Sequence, residues 1–498
     1  MRKTWSEVQI HGRSPRFVAY LSGDRAALVM CVVSVAGLLV VLSWGLTIAF
    51  WRHDEVAYLS DRGSLIRVAA EGRWVNFLAH PITRRIDPTL AWVANVLLVA
   101  AALYLIFRRL LDDRLAGFNL AIVGALFPGF VDQNTWPCTT LPASVIFLSS
   151  VVGVQRFGPW ILLVSGILSF GSLSYFYYVL PLAFLPLKEL EVFGDAADFV
   201  VPGVVWAAGL VLGLLVASTI NLIFIGQFGI QLESWRRAHP ATDLASLMEN
   251  VTTYGSQIAN DIGQWLPIPL LLLMGMVVIG CLTFKRYRRG CIGTALMGGS
   301  YASVVLLSPF MTVVPLGILV SFRSLLPLAV GTIALPFMLT DRAAHRPLLV
   351  ATMVAIGLPS YALSSAGTEW FAKSTRAHGE IIAHAIATAG AKPSIVVVDA
   401  RDYPKYFKRV QQEEGLGAQP FFMETLDEPK RLIPAFWELG FHVVHMCPRS
   451  GQVATYQPDV ACAAYLQRVS SAGTCREDSR PVCVVDEQKG VLTLRLMP

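Results

Sequence analysis

A succession of apolar runs separated by short, mostly basic turns constrains this chain more than any other feature. Residues 26–50, 89–107, 118–131, 143–154, 160–187, 200–225, 266–284, 294–314, 325–339 and 348–363 are all strongly apolar. A helix needs about 20 such residues to cross the hydrocarbon core. Run 160–187 is too long for one straight span. Gly171, Ser172 and Ser174 at its centre read as a tight hairpin of two helices. The runs therefore predict a mainly α, polytopic membrane helix bundle of about eleven spans. Only 15% of the 498 residues are charged, against about 25% in soluble domains.

Arginine and lysine set the direction of threading. Arg2, Lys3, Arg13, Arg16 and Arg25 place the N-terminal segment 1–25 in the cytoplasm. Its stretch 5–21 reads either as an amphipathic surface helix or as a disordered tail. Arg108, Arg109 and Arg114, then Gln155 and Arg156, then KRYRRG at 285–290, then Asp341, Arg342 and Arg346 fit successive cytoplasmic turns. The net charge of +6 is spread between apolar runs and not gathered on one domain. It reads as a topology signal, and a nucleic-acid partner is not expected.

The same threading puts loops 51–88 and 226–265 of the transmembrane domain 26–363 outside. In the second loop Leu244, Leu247, Met248 and Val251 recur at helical spacing, predicting surface helices over the mouth of a cavity. An odd number of spans leaves residues 364–498 outside as well. That part has soluble composition and reads as a small α/β domain. Its expected elements are a helix at 368–389, a strand at 394–399, a helix at 429–439, a strand at 441–446 and a terminal hairpin turning near 488–490. No glycine-rich phosphate loop follows the first strand, so the domain is expected to cap or select substrates. Four of the 8 cysteines fall here, at Cys447, Cys462, Cys475 and Cys483. An even set in an exported domain predicts disulfides, in any of three pairings.

The loop 51–81, WRHDEVAYLSDRGSLIRVAAEGRWVNFLAHP, holds the candidate chemistry. Carboxylates at a bilayer edge are costly unless something uses or pairs them, which singles out Asp54 and Glu55. If the loop transfers a sugar, as the resemblance given below implies, no nucleotide sugar is at hand outside the cytoplasm, and a lipid-linked sugar phosphate would be the activated donor. The phosphate leaves unaided, and what remains is to deprotonate an acceptor hydroxyl. Asp54 is the first choice as base and Glu55 the second, with inversion at the anomeric carbon. The donor phosphate calls for arginine. Arg323, inside an apolar stretch, and Arg73 are the candidates. Trp74, Trp136 and Tyr175 could stack on sugar faces. His53 and His80 bracket the loop without ligand spacing, so neither metal nor cofactor is expected.

The acidic pair after the first span, the Gly72-Arg73-Trp74 element, the many spans and the terminal exported domain together resemble the GT-C class of integral-membrane glycosyltransferases. More closely, the chain is similar to the serotype-converting O-antigen glucosyltransferases of the Gtr type. PGFVDQNTWPCTTLP at 128–142 resembles a family segment and adds Asp132 and Asn134 as substrate-binding candidates. SYFYY around Tyr175 and FRSLLP around Arg323 also look like family elements. Asp-Glu replaces the usual Asp-Asp pair, and Trp74 stands where relatives often have proline. The resemblance implies a bacterial inner-membrane enzyme that moves a sugar, glucose by analogy, from a polyprenyl-phosphate donor to a periplasmic envelope glycan such as O-antigen. A transporter or flippase of lipid-linked sugars is the alternative from another class, and a nonenzymatic envelope assembly protein is a third. The lack of an internal repeat and the clustering of acids on one side count against transport.

Overall fold

The structure is a computed structural model. It describes residues 24–47, 55, 58, 62–184, 196–231, 238–267, 274–276, 289–340, 345–389, 395–423, 429–441, 444–447, 462, 481–488 and 491–497. The expectations for the N-terminal segment, His53, Asp54, the basic turn at 285–288, Cys475 and the Cys483 side chain lie outside the described residues.

The membrane part contains α1 (Asp24–Gly45), α2 (Arg62–Ala70), α3 (Trp74–Thr83), α4 (Pro88–Leu111), α5 (Arg114–Ala125), α6 (Pro128–Gln133) and α7 (Pro137–Phe157). It continues with α8 (Ile161–Phe170), α9 (Ala196–Ile225), α10 (Leu244–Trp265), α11 (Arg289–Leu316), α12 (Leu326–Met338), α13 (His345–Thr352) and α14 (Leu358–Ala389). Among the described residues six helices are long and apolar enough to span: α1, α4, α7, α9, α11 and the α13–α14 rod. α5, α8 and the run Phe322–Met338 are shorter apolar helices. The described residues thus form a mainly helical bundle consistent with a multi-pass membrane protein, six of its helices being of spanning length, and they do not by themselves reach the eleven spans read from hydropathy.

Local chemistry sets where these helices begin and stop. Asp87 caps α4 by accepting from the Leu90 amide at 3.0 Å, and Pro88 fills the first helical position, where no amide is needed. Asp113 caps α5 through the Leu115 and Ala116 amides and also pairs with Arg346 at 3.0 Å. Arg108 and Arg109 end α4, where cations favour the helix dipole. Inside the bundle the helices are stitched by small polar groups, as is usual where burial alone gives no drive. Ser34 of α1 donates to Asn119 of α5 at 2.7 Å and accepts from Tyr361 of α14 at 3.1 Å. Leu28, Val32 and Leu39 of α1 and Val204, Ile223 and Phe224 of α9 are exposed, as lipid-facing side chains would be.

Three boundaries differ from the hydropathy reading. The short span expected at 143–154 is part of α7, whose 21 residues continue through Pro142; the apolar run looked shorter because its first two turns carry Thr139 and Thr140. The second half of the 160–187 hairpin is not an α-helix but a 3-10 helix, Ser174–Ala183. It is built from consecutive aromatics and contains Pro181. Residue 364 falls inside α14, where the Ser364 hydroxyl donates across to the Leu126 carbonyl at the end of α5 and the Thr368 hydroxyl donates to the Ser364 carbonyl, each at 2.7 Å.

The C-terminal part is α/β, as expected. Strands β1 (Ile395–Asp399), β2 (Val444–Cys447), β3 (Val482–Gln488) and β4 (Val491–Leu496) form one sheet in the order β2-β1-β4-β3. β1 lies parallel to β2 and β4, while β3 and β4 make the terminal antiparallel hairpin. Helices Tyr403–Glu413 and Ile433–Glu438 accompany the sheet, the first of them not foreseen. Asp399 ends β1, where Arg401 and Arg495 grip its carboxylate at 2.7 and 3.1 Å. Cys447 is bonded to Cys462, with Cα atoms 5.5 Å apart, which selects one of the open pairings.

Candidate functional site

At one end of the bundle the chain leaves regular helix several times, and these irregular segments enclose a cavity of about 240 Å³. Irregular backbone at membrane depth is tolerated where it lines a cavity. The polar wall holds Glu71, Arg73, Gln133, Tyr175, Gln231 and Arg323, and the apolar wall includes Leu214, Ile230, Leu316, Ile318 and Val320.

The position of Arg73 follows from Gly72. After α2 the backbone turns at Gly72 with φ +84°, a left-handed value that glycine adopts freely. A β-carbon there would sit 3.2 Å from Ile230. The Val75 amide then donates to the Gly171 carbonyl at 2.8 Å, fixing this turn to the break after α8. Trp74 packs its indole against Gly171, where any β-carbon would collide with it. Arg73 pairs with Glu71 at 3.4 Å, and both line the cavity.

Arg323 is brought in by a second close approach. Its 3-10 turn, Phe322–Leu325, lies against α6, with the Phe322 carbonyl 2.5 Å from where a Gly129 β-carbon would be. The guanidinium sits 4.5 Å over the ring of Trp136, a cation–π contact that fixes its direction. Phe322 also stacks edge-on against Phe421 at 5.3 Å. The C-terminal part therefore packs directly behind the Arg323 turn. Helix α10 closes the adjoining wall: Tyr254 donates to the Gly317 carbonyl at 2.6 Å and Gln257 to the Val320 carbonyl at 3.0 Å.

The structure brings together Arg73, Arg323 and Tyr175 of the predicted set. Trp136 and Trp74 back the cavity without lining it. Asp132 and Asn134 are buried beside it, and Asn134 bonds Asn95 at 2.7 Å, while Gln133 between them faces the cavity. Neither Asp132 nor Asn134 therefore lines it.

Glu55 is elsewhere, and its surroundings explain it differently from a base. Its carboxylate accepts from the Cys138 amide at 2.5 Å, from the Thr139 amide at 3.2 Å and from the Thr139 hydroxyl. These are the second and third residues of α7, whose own N-cap, Trp136, supplies no side-chain bond. Glu55 is a remote N-cap. Burial is the largest influence on it and pushes its pKa from 4.5 up to about 7 against the opposing pull of these donors.

Sequence reasoning missed Glu71 as a cavity residue, although an acid two positions before Arg73 across a glycine was visible. No group of three or more His, Cys, Asp or Glu that could hold a metal occurs among the described residues. What the cavity offers chemically is two guanidiniums, the phenols of Tyr175 and Tyr178, two glutamine amides, several serines and one carboxylate beside an apolar wall. Such a set suits a phosphate ester with an apolar tail. No family model matches the chain, and neither a curated protein nor a solved structure is similar to it at a significant level.

Proposed function

We propose that the protein is an integral-membrane glycosyltransferase that takes a sugar, glucose by the resemblance, from a polyprenyl-phosphate donor and passes it to an envelope glycan such as O-antigen. The observation that carries this reading is the convergence of Arg73 and Arg323, from chain segments 250 residues apart, on one cavity with an apolar side. In the reaction the acceptor oxygen forms a bond to the anomeric carbon from the face opposite the phosphate. The carbon–oxygen bond to phosphate breaks, its electron pair leaving on the polyprenyl phosphate, and the acceptor proton passes to a carboxylate. Glu71 is the carboxylate of the described residues that lines the cavity. Asp54, the first choice from sequence, lies outside them. Arg73 and Arg323 hold the phosphate oxygens and stabilise the charge that develops on departure.

The membrane is the bacterial inner membrane in this reading, with the Arg108, Arg114 and Arg346 end in the cytoplasm and the cavity on the periplasmic side. The Cys447–Cys462 bond supports an oxidising compartment for the C-terminal domain. The eleven-span thread belongs to the same proposal.

The test is transfer by purified protein in liposomes, offered polyprenyl-phosphate sugars and lipid-linked envelope glycan, with products identified by mass. Arg323→Ala should lower transfer by about 100-fold or more, the scale of losing one preorganised charge contact. No transfer from any polyprenyl-phosphate sugar, or full activity in Arg323→Ala, overturns the reading.

A further inference from the structure

Tyr175 is 6% exposed, and its hydroxyl has no hydrogen-bond partner among the described residues. A buried phenol normally finds one, because leaving it unmet costs as much as a lost hydrogen bond. Folding does not require the sacrifice: the ring is already packed against Phe176, with centroids 4.5 Å apart, and phenylalanine would fill the same volume. Tyr175 lines the cavity, and the charges of both Arg323 and Arg73 act on its hydroxyl. A lone O–H beside two guanidiniums is a donor awaiting an acceptor that the protein itself does not supply.

We infer that the Tyr175 hydroxyl is the neutral third donor of an anion site, placed with Arg73 and Arg323 to hydrogen-bond an oxygen of a bound phosphate ester. The inference deepens the proposed function by naming how its substrate phosphate is held, and it replaces sugar stacking as the role of Tyr175. Two charged donors joined by a neutral one discriminate better than two charges alone. The guanidiniums attract any anion, whereas a fixed O–H near them rewards only one whose oxygen reaches it.

The experiment compares full-length wild type with Tyr175→Phe in nanodiscs, titrated with geranylgeranyl phosphate and, separately, with inorganic phosphate, alongside thermal melting. A hydrogen bond to a charged oxygen corresponds to a loss in affinity of about ten- to a hundred-fold. The expected result is that loss with an unchanged or raised melting temperature, since the substitution removes an unmet buried hydroxyl. Equal affinities in the two proteins overturn the inference. So does a loss accompanied by a matching fall in melting temperature, which would make the hydroxyl structural. A wild type that binds neither probe overturns it too. The same loss seen with inorganic phosphate, and no preference for the prenyl ester, supports the anion site while removing the lipid-donor reading. Wild-type binding without any sugar transfer does likewise.

Discussion

Replacing Glu55 separates structure from chemistry at this end of the bundle. The carboxylate is fully buried and accepts from two amides and a hydroxyl at the start of α7. Glu55→Ala leaves all three donors without an acceptor, each worth about 1–3 kcal/mol when buried. Because the helix end can fray toward the gap, a net loss of about 3–5 kcal/mol is expected, the range for removing one partner of a buried charged contact. Glu55→Gln keeps one acceptor oxygen and should cost less at neutral pH. Its pH dependence is the sharper test. Burial raises the folded pKa from 4.5 to about 7, so the folded state binds the proton more tightly than the unfolded one. Stability then falls as pH rises between those values and levels off above them. At about 1.4 kcal/mol per unit, the wild type gives up about 3 kcal/mol across that window. Glutamine does not titrate. The advantage of wild type over Glu55→Gln should therefore shrink from pH 5 to pH 7.5 in thermal melts followed by tryptophan fluorescence in detergent. A gap independent of pH refutes the burial argument. Glu55→Gln that melts like wild type but has lost transfer refutes the capping role and returns Glu55 to catalysis.

Gly72→Ala must hold a left-handed φ of +84° and press a methyl to 3.2 Å from Ile230; about 1–3 kcal/mol of backbone strain is expected, together with weaker phosphate binding as Arg73 swings out. Adding Ile230→Ala should restore little, because the strain is in the backbone, and full rescue would show that crowding was the cause. For Asp399, burial works to raise the pKa but is outweighed by hydrogen bonds from Arg401 and Arg495, which hold it below 3.8. Its contribution is therefore complete above that value and is lost as pH falls through the lower folded pKa. Asp399→Asn should cost about 2–3 kcal/mol at pH 7, less than a fully buried pair because both arginines are partly exposed. It should also flatten the acid loss, read by hydrogen exchange in β1 and β4; unchanged exchange in both strands would refute it.

Much of this architecture is legible in the chain because the bilayer makes simple demands. The runs that became α1, α4, α9 and α11 announce themselves by length, and the apolar spacing at 244–251 foretold α10. Arg323 stood out for a related reason, a guanidinium set in an apolar stretch, and Arg73 through the Gly72-Arg73-Trp74 element; both line the cavity. Contacts set by three-dimensional closeness were not. Glu55 caps a helix 83 residues away, and no local pattern distinguishes that acid from its neighbour Asp54. The 3-10 run Ser174–Ala183 is as apolar as a span, and hydropathy cannot see its backbone. Tyr403–Glu413 escaped notice because its few apolar residues, Tyr403, Tyr406, Phe407 and Val410, sit among lysines and glutamines. They still make one buried helical face.

The errors and the successes have one physical source. Glycine and proline mark the departures from regular helix around the cavity: Gly72, Gly129 and Gly171 permit backbone contacts that any β-carbon would block or strain, and Pro128 and Pro137 are the first residues of α6 and α7, where the chain restarts after each break. A bundle built only for stability would fill these gaps with longer helices, since each break exposes backbone groups that must be satisfied elsewhere. Here they are satisfied by one another, through Val75 to Gly171 and Gln257 to Val320, and by Glu55 at α7. What that expense secures is a fixed pair of guanidiniums and an unmet phenol facing one cavity. Local rules yield to the global fold at the place where a ligand would complete the hydrogen bonding.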